Sequence, residues 1–296
     1  MAKSKTQFEE FLEQEVRESK GLYFPVRTTA LERMLTRRTD IHNLHPNPED
    51  EFCMPDIGPN YEIISRYEQQ FAKEGCMFGE PIIVERTYPD GYRIINGHHR
   101  WAAALQVGEK KVPIRIINLT HGDDIRRILE ASAHTKRAAL DLDEVVFSAG
   151  SDAPTEGPPP FPWNMVYSER IRLGVPALFH CLSDKGYDIW LYSAQYYSVD
   201  SIQNFFRKYH VKVDGVITAS GKRIGTSAGS GKTVEQMFSD QYRYTIHVDD
   251  RSVLQVFPDR RPIQEFPLSG AADSWSHEAV EAIEKMDKTE RRTMQP

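Results

Sequence analysis

The sequence predicts an α/β protein of two domains: an α+β domain over residues 1–130 and a parallel-sheet domain over residues 131–296. Three observations carry this. The chain of 296 residues is long enough for two domains of ordinary size. From about residue 138, apolar strand-like runs alternate with helical ones, the pattern of a parallel sheet with crossover helices. Before that point two isoleucine-rich runs flank a short turn signal, which predicts a hairpin.

The elements follow in order. Phe8, Phe11, Leu12 and Val16 recur at helical spacing and predict a helix over residues 1–20. "TALERMLTRRT" and residues 60–73 predict two more helices. "EPIIVERT" and "YRIING", separated by "YPDG", form the hairpin. "HHRWAAALQVG" is a short helix closed by Gly108, and "KKVPIRIINL" is a strand. "DDIRRILEASAHTKR" is a helix leading into the second half. There "AALDLDEVVF" is a strand running into a turn, and "SAGSDAPTEGPPPFP" is a long loop. "RIRLGVPALFHCLSDKG", "DSIQNFFRKYH" and "KTVEQMFSDQ" are helices, while "YDIWLYSA", "VDGVITA" and "YRYTIHVDD" are strands. The polar tail carries a last helix over residues 276–288.

Composition narrows the function. Hydrophobic residues make up 40% and charged residues 27%, as in soluble globular proteins. No apolar run reaches the length of a membrane span, and the charged N-terminus lacks the pattern of a secretory signal. Cys53, Cys76 and Cys181 are scattered, which favours a reducing, cytoplasmic setting and argues against structural zinc. The net charge of -6 argues against a broad surface for nucleic-acid backbone.

"GTSAGSGKT", residues 225–233, nearly matches a phosphate-binding P-loop. That motif needs a glycine at residue 226, which is Thr226; Gly225 stands one position early. A frame error of one moves the backbone N–H groups off the phosphate, so Lys232 needs another explanation.

In parallel sheets ligands bind beyond the carboxyl ends of the strands. Asp141, Ser193 and Asp249 all fall at such ends, with Asp143 and Asp250 beside them. Crowded carboxylates repel one another, and a hard, oxygen-preferring cation such as Mg2+ relieves the repulsion. A lone Asp-x-Asp at a strand end is often only a turn, and a lone Asp pair often only a cap. The ordered set, each member after its own apolar strand, is the stronger signal. "LDLDEVV", "WLYSA", a lysine near a helix start and "IHVDD" together resemble the haloacid dehalogenase-like (HAD-like) phosphatases over about residues 136–266. The resemblance implies a Rossmannoid parallel sheet, here with little or no cap. It implies Asp141 as a nucleophile that forms an aspartyl-phosphate, and Asp143 as general acid and base. It also implies that Ser193 and a lysine hold the phosphoryl oxygens, with Mg2+ among Asp141, Asp143, Asp249 and Asp250. Lys232 is favoured over Lys222 for that lysine, because a helix begins there. Glu144 departs from the glycine that many members carry. The implied substrate is a phosphorylated small molecule, nucleic-acid end or protein.

In the first half, "INGHHRWAAALQVGEKKVPIRII" sets a glycine, two histidines and an arginine directly before a helix. A helix start beside an arginine suits phosphate. A single histidine there is more often satisfied within the fold than a ligand. The segment, with "LHPNPEDE" upstream, resembles the ParB/sulfiredoxin superfamily over about residues 40–120. The doubled histidine is nearest to that superfamily's free-serine kinases. The resemblance implies nucleotide binding, of ATP or ADP, through Gly97, His98, His99 and Arg100, with a base among Glu49, Asp50 and Glu51. Sulfiredoxins carry a cysteine where His98 stands. The main expectation is thus a phosphatase joined to a nucleotide-binding or kinase-like module. The alternative is a ParB-like nucleic-acid-binding or nuclease regulator whose HAD-like domain is structural.

Overall fold

The computed structural model describes residues 7–19, 21–76, 79–147, 154–219, 233–259, 261–271 and 273–293. The chain divides into two compact units, Met1–Leu119 and Thr120–Pro296. The sequence placed its boundary at 130/131; the observed division comes before helix α5, which therefore lies in the second unit.

The first unit runs α1 (Gln7–Ser19), β1 (Phe24–Pro25), α2 (Ala30–Leu35), β2 (Arg38–Asp40), β3 (Leu44–His45), α3 (Tyr61–Glu74), β4 (Ile82–Tyr88), β5 (Tyr92–Asn96), α4 (His98–Gln106) and β6 (Lys111–Ile116). Its six-stranded sheet has the order β2-β6-β4-β5-β3, with β1 also pairing β4. The hairpin β4–β5 is antiparallel, as its turn signal required. Its turn needs Gly91, whose φ is 69°. A Cβ there would lie 2.4 Å from His45 Nε2 and 2.6 Å from the Asn43 carbonyl. Strand β6 runs parallel to β4, and β3 parallel to β5. The helix expected over 29–39 is cut to six residues, because Arg38–Asp40 pair with Lys111–Pro113 and bury Thr39. Trp101, Ala102, Ala103 and Ala104 of α4 are buried with Ile41, Leu44, Ile64 and Ile94. Small residues on α4 let it lie close to the sheet.

The second unit runs α5 (Gly122–Ala131), β7 (Lys136–Asp141), α6 (Val175–Asp184), β8 (Tyr187–Tyr192), α7 (Val199–Arg207), β9 (Gly215–Ile217), α8 (Val234–Gln241), β10 (Tyr244–Val248), β11 (Ser252–Val256), β12 (Gln264–Pro267) and α9 (Trp275–Thr293). The expected helix over 123–137 ends early, since Lys136 and Arg137 already belong to β7. The sheet order is β12-β11-β10-β7-β8-β9. Strands β10, β7, β8 and β9 are parallel. The antiparallel strands β11 and β12 extend the sheet beyond the alternating strand–helix pattern. The strand order reverses between β7 and β10, and ligands of open α/β sheets bind at such a switch point. The tail helix is longer than expected and buries Trp275, Ala279, Ala282, Ile283 and Met286 in the unit's main core. Each large apolar side chain buried this way stabilises the fold by about 1.5–3 kcal/mol.

No described helix is long and apolar enough to cross a membrane.

Candidate functional site

Each unit carries a candidate site. In the second, Asp141 is the last residue of β7. Its Oδ1 accepts the backbone N–H groups of Asp143 and Glu144, both at 2.8 Å. This cap begins the π-helical turn Leu142–Val146, and it fixes the Asp141 carboxylate while Leu142, Val145 and Val146 bury themselves beneath it. Strand β8 brings Ser193 to the same edge. Ser193 is fully buried, its N–H donates to the Ile217 carbonyl, and its hydroxyl donates to Asp143 Oδ2 at 2.6 Å. The same hydroxyl accepts the Gln195 N–H at 2.9 Å. Ser193 therefore orients Asp143, which differs from the expected contact with phosphoryl oxygens.

Leu140 pairs with Val248 across β7 and β10, so Asp141 and Asp249 stand side by side one residue beyond that pair. Asp249 is exposed, and its Oδ1 accepts the Asp250 N–H. Asp250 is ion-paired to Arg172. The four aspartates expected to share Mg2+ thus face different partners. Among the described residues, no three His, Cys, Asp or Glu side chains gather in a way that could hold a metal ion. As they stand, these residues do not fit the four-carboxylate set. Lys222 and Lys232 lie outside the described residues; Thr233, next in the chain, caps α8 in a reciprocal pair with Gln236.

In the first unit the loop after β3 and the start of α4 come together. Gly97 precedes α4 with φ of 102°, and a Cβ there would crowd the Arg100 guanidinium at 3.1 Å. Gly97 offers no side chain to cap the helix, whose first internal bond runs from Trp101 N–H to the Gly97 carbonyl. His98 is buried; its Nε2 accepts the Asn47 N–H at 3.1 Å, and its Nδ1 stands 3.6 Å from Asp50 Oδ1. His99 Nε2 accepts the Asn60 N–H at 3.1 Å. Phe52 stacks on His98 and meets His99 edge-on, with centroids 5.4 Å and 4.9 Å away. The two histidines therefore staple the loop 46–60 across the helix start. Sequence reasoning did not see Phe52 or the two asparagines, because backbone donors leave no mark in a side-chain pattern.

Arg100 points inward. Its Nη1 donates to the Glu80 and Pro81 carbonyls at 2.7 Å and 3.1 Å, and it pairs with Glu80 Oε2 at 3.3 Å. Its side chain is 9% exposed. This arginine fixes α4 to the start of β4, where the sequence had suggested a fork for a phosphate. Of the three acids considered, Asp50 caps a short 3-10 turn and faces His98, while Glu49 and Glu51 are exposed.

Residues 62–133 match the family model of the ParB N-terminal domain. The matched stretch runs from α3 to just past α5 and contains the whole Gly97–Arg100 turn. The chain is also similar to two crystal structures of C-terminally truncated chromosome-partitioning protein ParB from Caulobacter crescentus. The one complexed to the centromeric parS site shares 27% identity over 32% of this chain and 46% of that chain, with a TM-score of 0.23. The one complexed with CTP-gamma-S shares 31% identity over 28% of this chain and 44% of that chain, with a TM-score of 0.24. This chain thus spans under half the length of either. No curated protein matches it. The family match ends at residue 133, so the phosphatase resemblance of residues 136–266 rests on its sequence motifs alone.

Proposed function

We propose that the first unit is a phosphate-recognising module of the ParB N-terminal type, which binds a nucleotide at the start of α4. One observation carries this: the family match encloses a helix start led by a left-handed glycine and overlaid by the loop that His98 and His99 hold. A helix N-terminus presents N–H groups and positive partial charge, the chemistry an anion needs. The match favours a nucleotide- or nucleic-acid-binding regulator over a kinase. Calorimetric titration of the full chain with ATP, ADP, CTP and a short DNA duplex tests the reading and separates mononucleotide from nucleic-acid phosphate. Absence of binding by all four at millimolar concentration contradicts it.

A second reading is favoured by the Asp141–Asp143–Ser193 arrangement at the switch point of the second sheet. The second unit would hydrolyse phosphomonoesters. With Oδ1 held by two N–H groups, Oδ2 of Asp141 attacks phosphorus, and the bond to the leaving oxygen breaks. Asp143, steadied by Ser193, gives its proton to that oxygen. Water then attacks the aspartyl-phosphate, loses its proton to Asp143, and releases phosphate and Asp141. A bound Mg2+ would supply charge neutralisation, but the described carboxylates do not gather to hold it. Hydrolysis of p-nitrophenyl phosphate that disappears in Asp141→Asn tests this reading.

A further inference from the structure

We propose that Arg172 is the resident counter-cation of the acidic pair, filling at Asp250 the charge-balancing role that the phosphatase resemblance gives to a divalent metal. Three contacts build this position. The guanidinium of Arg172 pairs with Asp250, and the Arg172 side chain is only 12% exposed. Its Cζ lies 4.2 Å from the centre of the Trp275 ring, on a tryptophan that is fully buried. The Trp275 Nε1–H donates to the Asp249 carbonyl at 2.9 Å. One indole thus fixes both partners: its face carries the arginine and its edge holds the backbone of the acidic pair.

The arginine is fixed from its own backbone too. Its N–H donates to the Val146 carbonyl at 2.9 Å, at the end of the turn that Asp141 caps. Arg172 is therefore tied to the Asp141 turn through its main chain, and to the Asp249–Asp250 turn through its side chain. A guanidinium cannot lose its charge at any pH the fold survives, and stacking on an aromatic face suits it better than an ammonium. The arginine is the shielded partner and Asp250 is half exposed, so the pair is kept in place because releasing Asp250 would leave a shielded cation without its partner. The consequence is a division within the pair. Asp250 is committed to Arg172, whereas Asp249 stands exposed beside Asp141. The catalytic consequence rests on the phosphohydrolase reading; the charge assignment does not.

The test is calorimetric titration of the full chain with Mg2+ alone, in wild type, Asp250→Asn, Arg172→Met, Arg172→Lys and the double variant Arg172→Met/Asp250→Asn. A neighbouring opposite charge shifts the proton affinity of a carboxylate by about 10-fold or more, and removing Arg172 is expected to raise Mg2+ affinity by a similar factor. The gain should vanish in the double variant, and Asp250→Asn alone should leave Mg2+ binding as in wild type. Arg172→Lys keeps the charge and should also leave it as in wild type, which controls for misfolding. Unchanged affinity in Arg172→Met, or loss of wild-type binding in Asp250→Asn, overturns the proposal. Hydrolysis of p-nitrophenyl phosphate is read on the same samples. Hydrolysis without the Mg2+ gain sinks the Arg172 assignment and leaves the phosphatase reading standing. The gain without hydrolysis does the reverse.

Discussion

The hydroxyl of Ser193, at the end of β8, donates to Oδ2 of Asp143 at 2.6 Å, in the turn that follows β7. This bond fixes the acid that the proposed chemistry uses without touching substrate. Ser193→Ala should lower kcat for p-nitrophenyl phosphate by about 10- to 100-fold, less than the roughly 100- to 10,000-fold of losing a general acid outright, because Asp143 itself remains. KM should change little, because the substrate keeps its own contacts. The Gln195 N–H would also lose its acceptor, and because Gln195 is exposed the stability cost is about 0.5–1.5 kcal/mol. A steady-state assay with a parallel thermal melt checks both effects.

Asp141→Asn should remove turnover while keeping the fold. The amide oxygen can still accept the N–H groups of Asp143 and Glu144, so the cap survives, but the nucleophile is gone. Wild-type hydrolysis by Asp141→Asn, with an unchanged melting temperature, would remove Asp141 from the mechanism.

Arg100 is expected to act on stability before it acts on ligand. Arg100→Ala leaves the Glu80 and Pro81 carbonyls without their guanidinium donor; both residues are exposed, so water can take its place and each lost bond costs about 0.5–1.5 kcal/mol. Arg100→Lys should recover only part of this, since one ammonium cannot reproduce a planar fork. Chemical denaturation of the three proteins decides the matter. Equal midpoints would return Arg100 to the role of a ligand contact.

Much of this fold was legible because its signals are local. The β4–β5 hairpin announces itself through "YPDG", and the alternation after residue 138 gives the parallel strands with Asp141, Ser193 and Asp249 at their ends. Partners from distant sequence were not legible. Nothing in "RIRLG" says that Arg172 will cross to Asp250, or that Trp275, from an apparently polar tail, will lie beneath it. Arg100 shows the converse. Its place before a helix suggested phosphate, but the two carbonyls it serves belong to the chain before β4. The lysine assigned to the phosphoryl group, Lys232 or Lys222, lies outside the described residues.

His45 gives the first unit a pH dependence. Burial against Tyr23, whose ring stacks 3.8 Å away, pushes the imidazole below its ordinary value of 6.5; Asp90 opposes the shift and Arg93 adds to it. The unfolded chain then binds the proton more readily than the fold. Stability from this residue is present above pH 6.5 and is lost as pH falls below it toward the lower folded value. Thermal melts at pH 7.5 and 5 should show a smaller drop for His45→Gln than for wild type. An equal drop would place the acid sensitivity elsewhere.

The most direct test of the central claim, that the start of α4 binds nucleotide phosphate, compares His99→Asp with His99→Asn. Both remove the contact to Asn60, and they differ only in charge. A carboxylate in the first turn favours the helix by about 0.3–1 kcal/mol, so the aspartate variant should melt at or above the asparagine variant. At the same position it repels a phosphate, and calorimetry with ATP or CTP should show affinity at least about 10-fold weaker for His99→Asp, a difference near 1.4 kcal/mol. Opposite effects on stability and binding are the predicted result. Equal affinity in the two variants would contradict nucleotide binding at the start of α4.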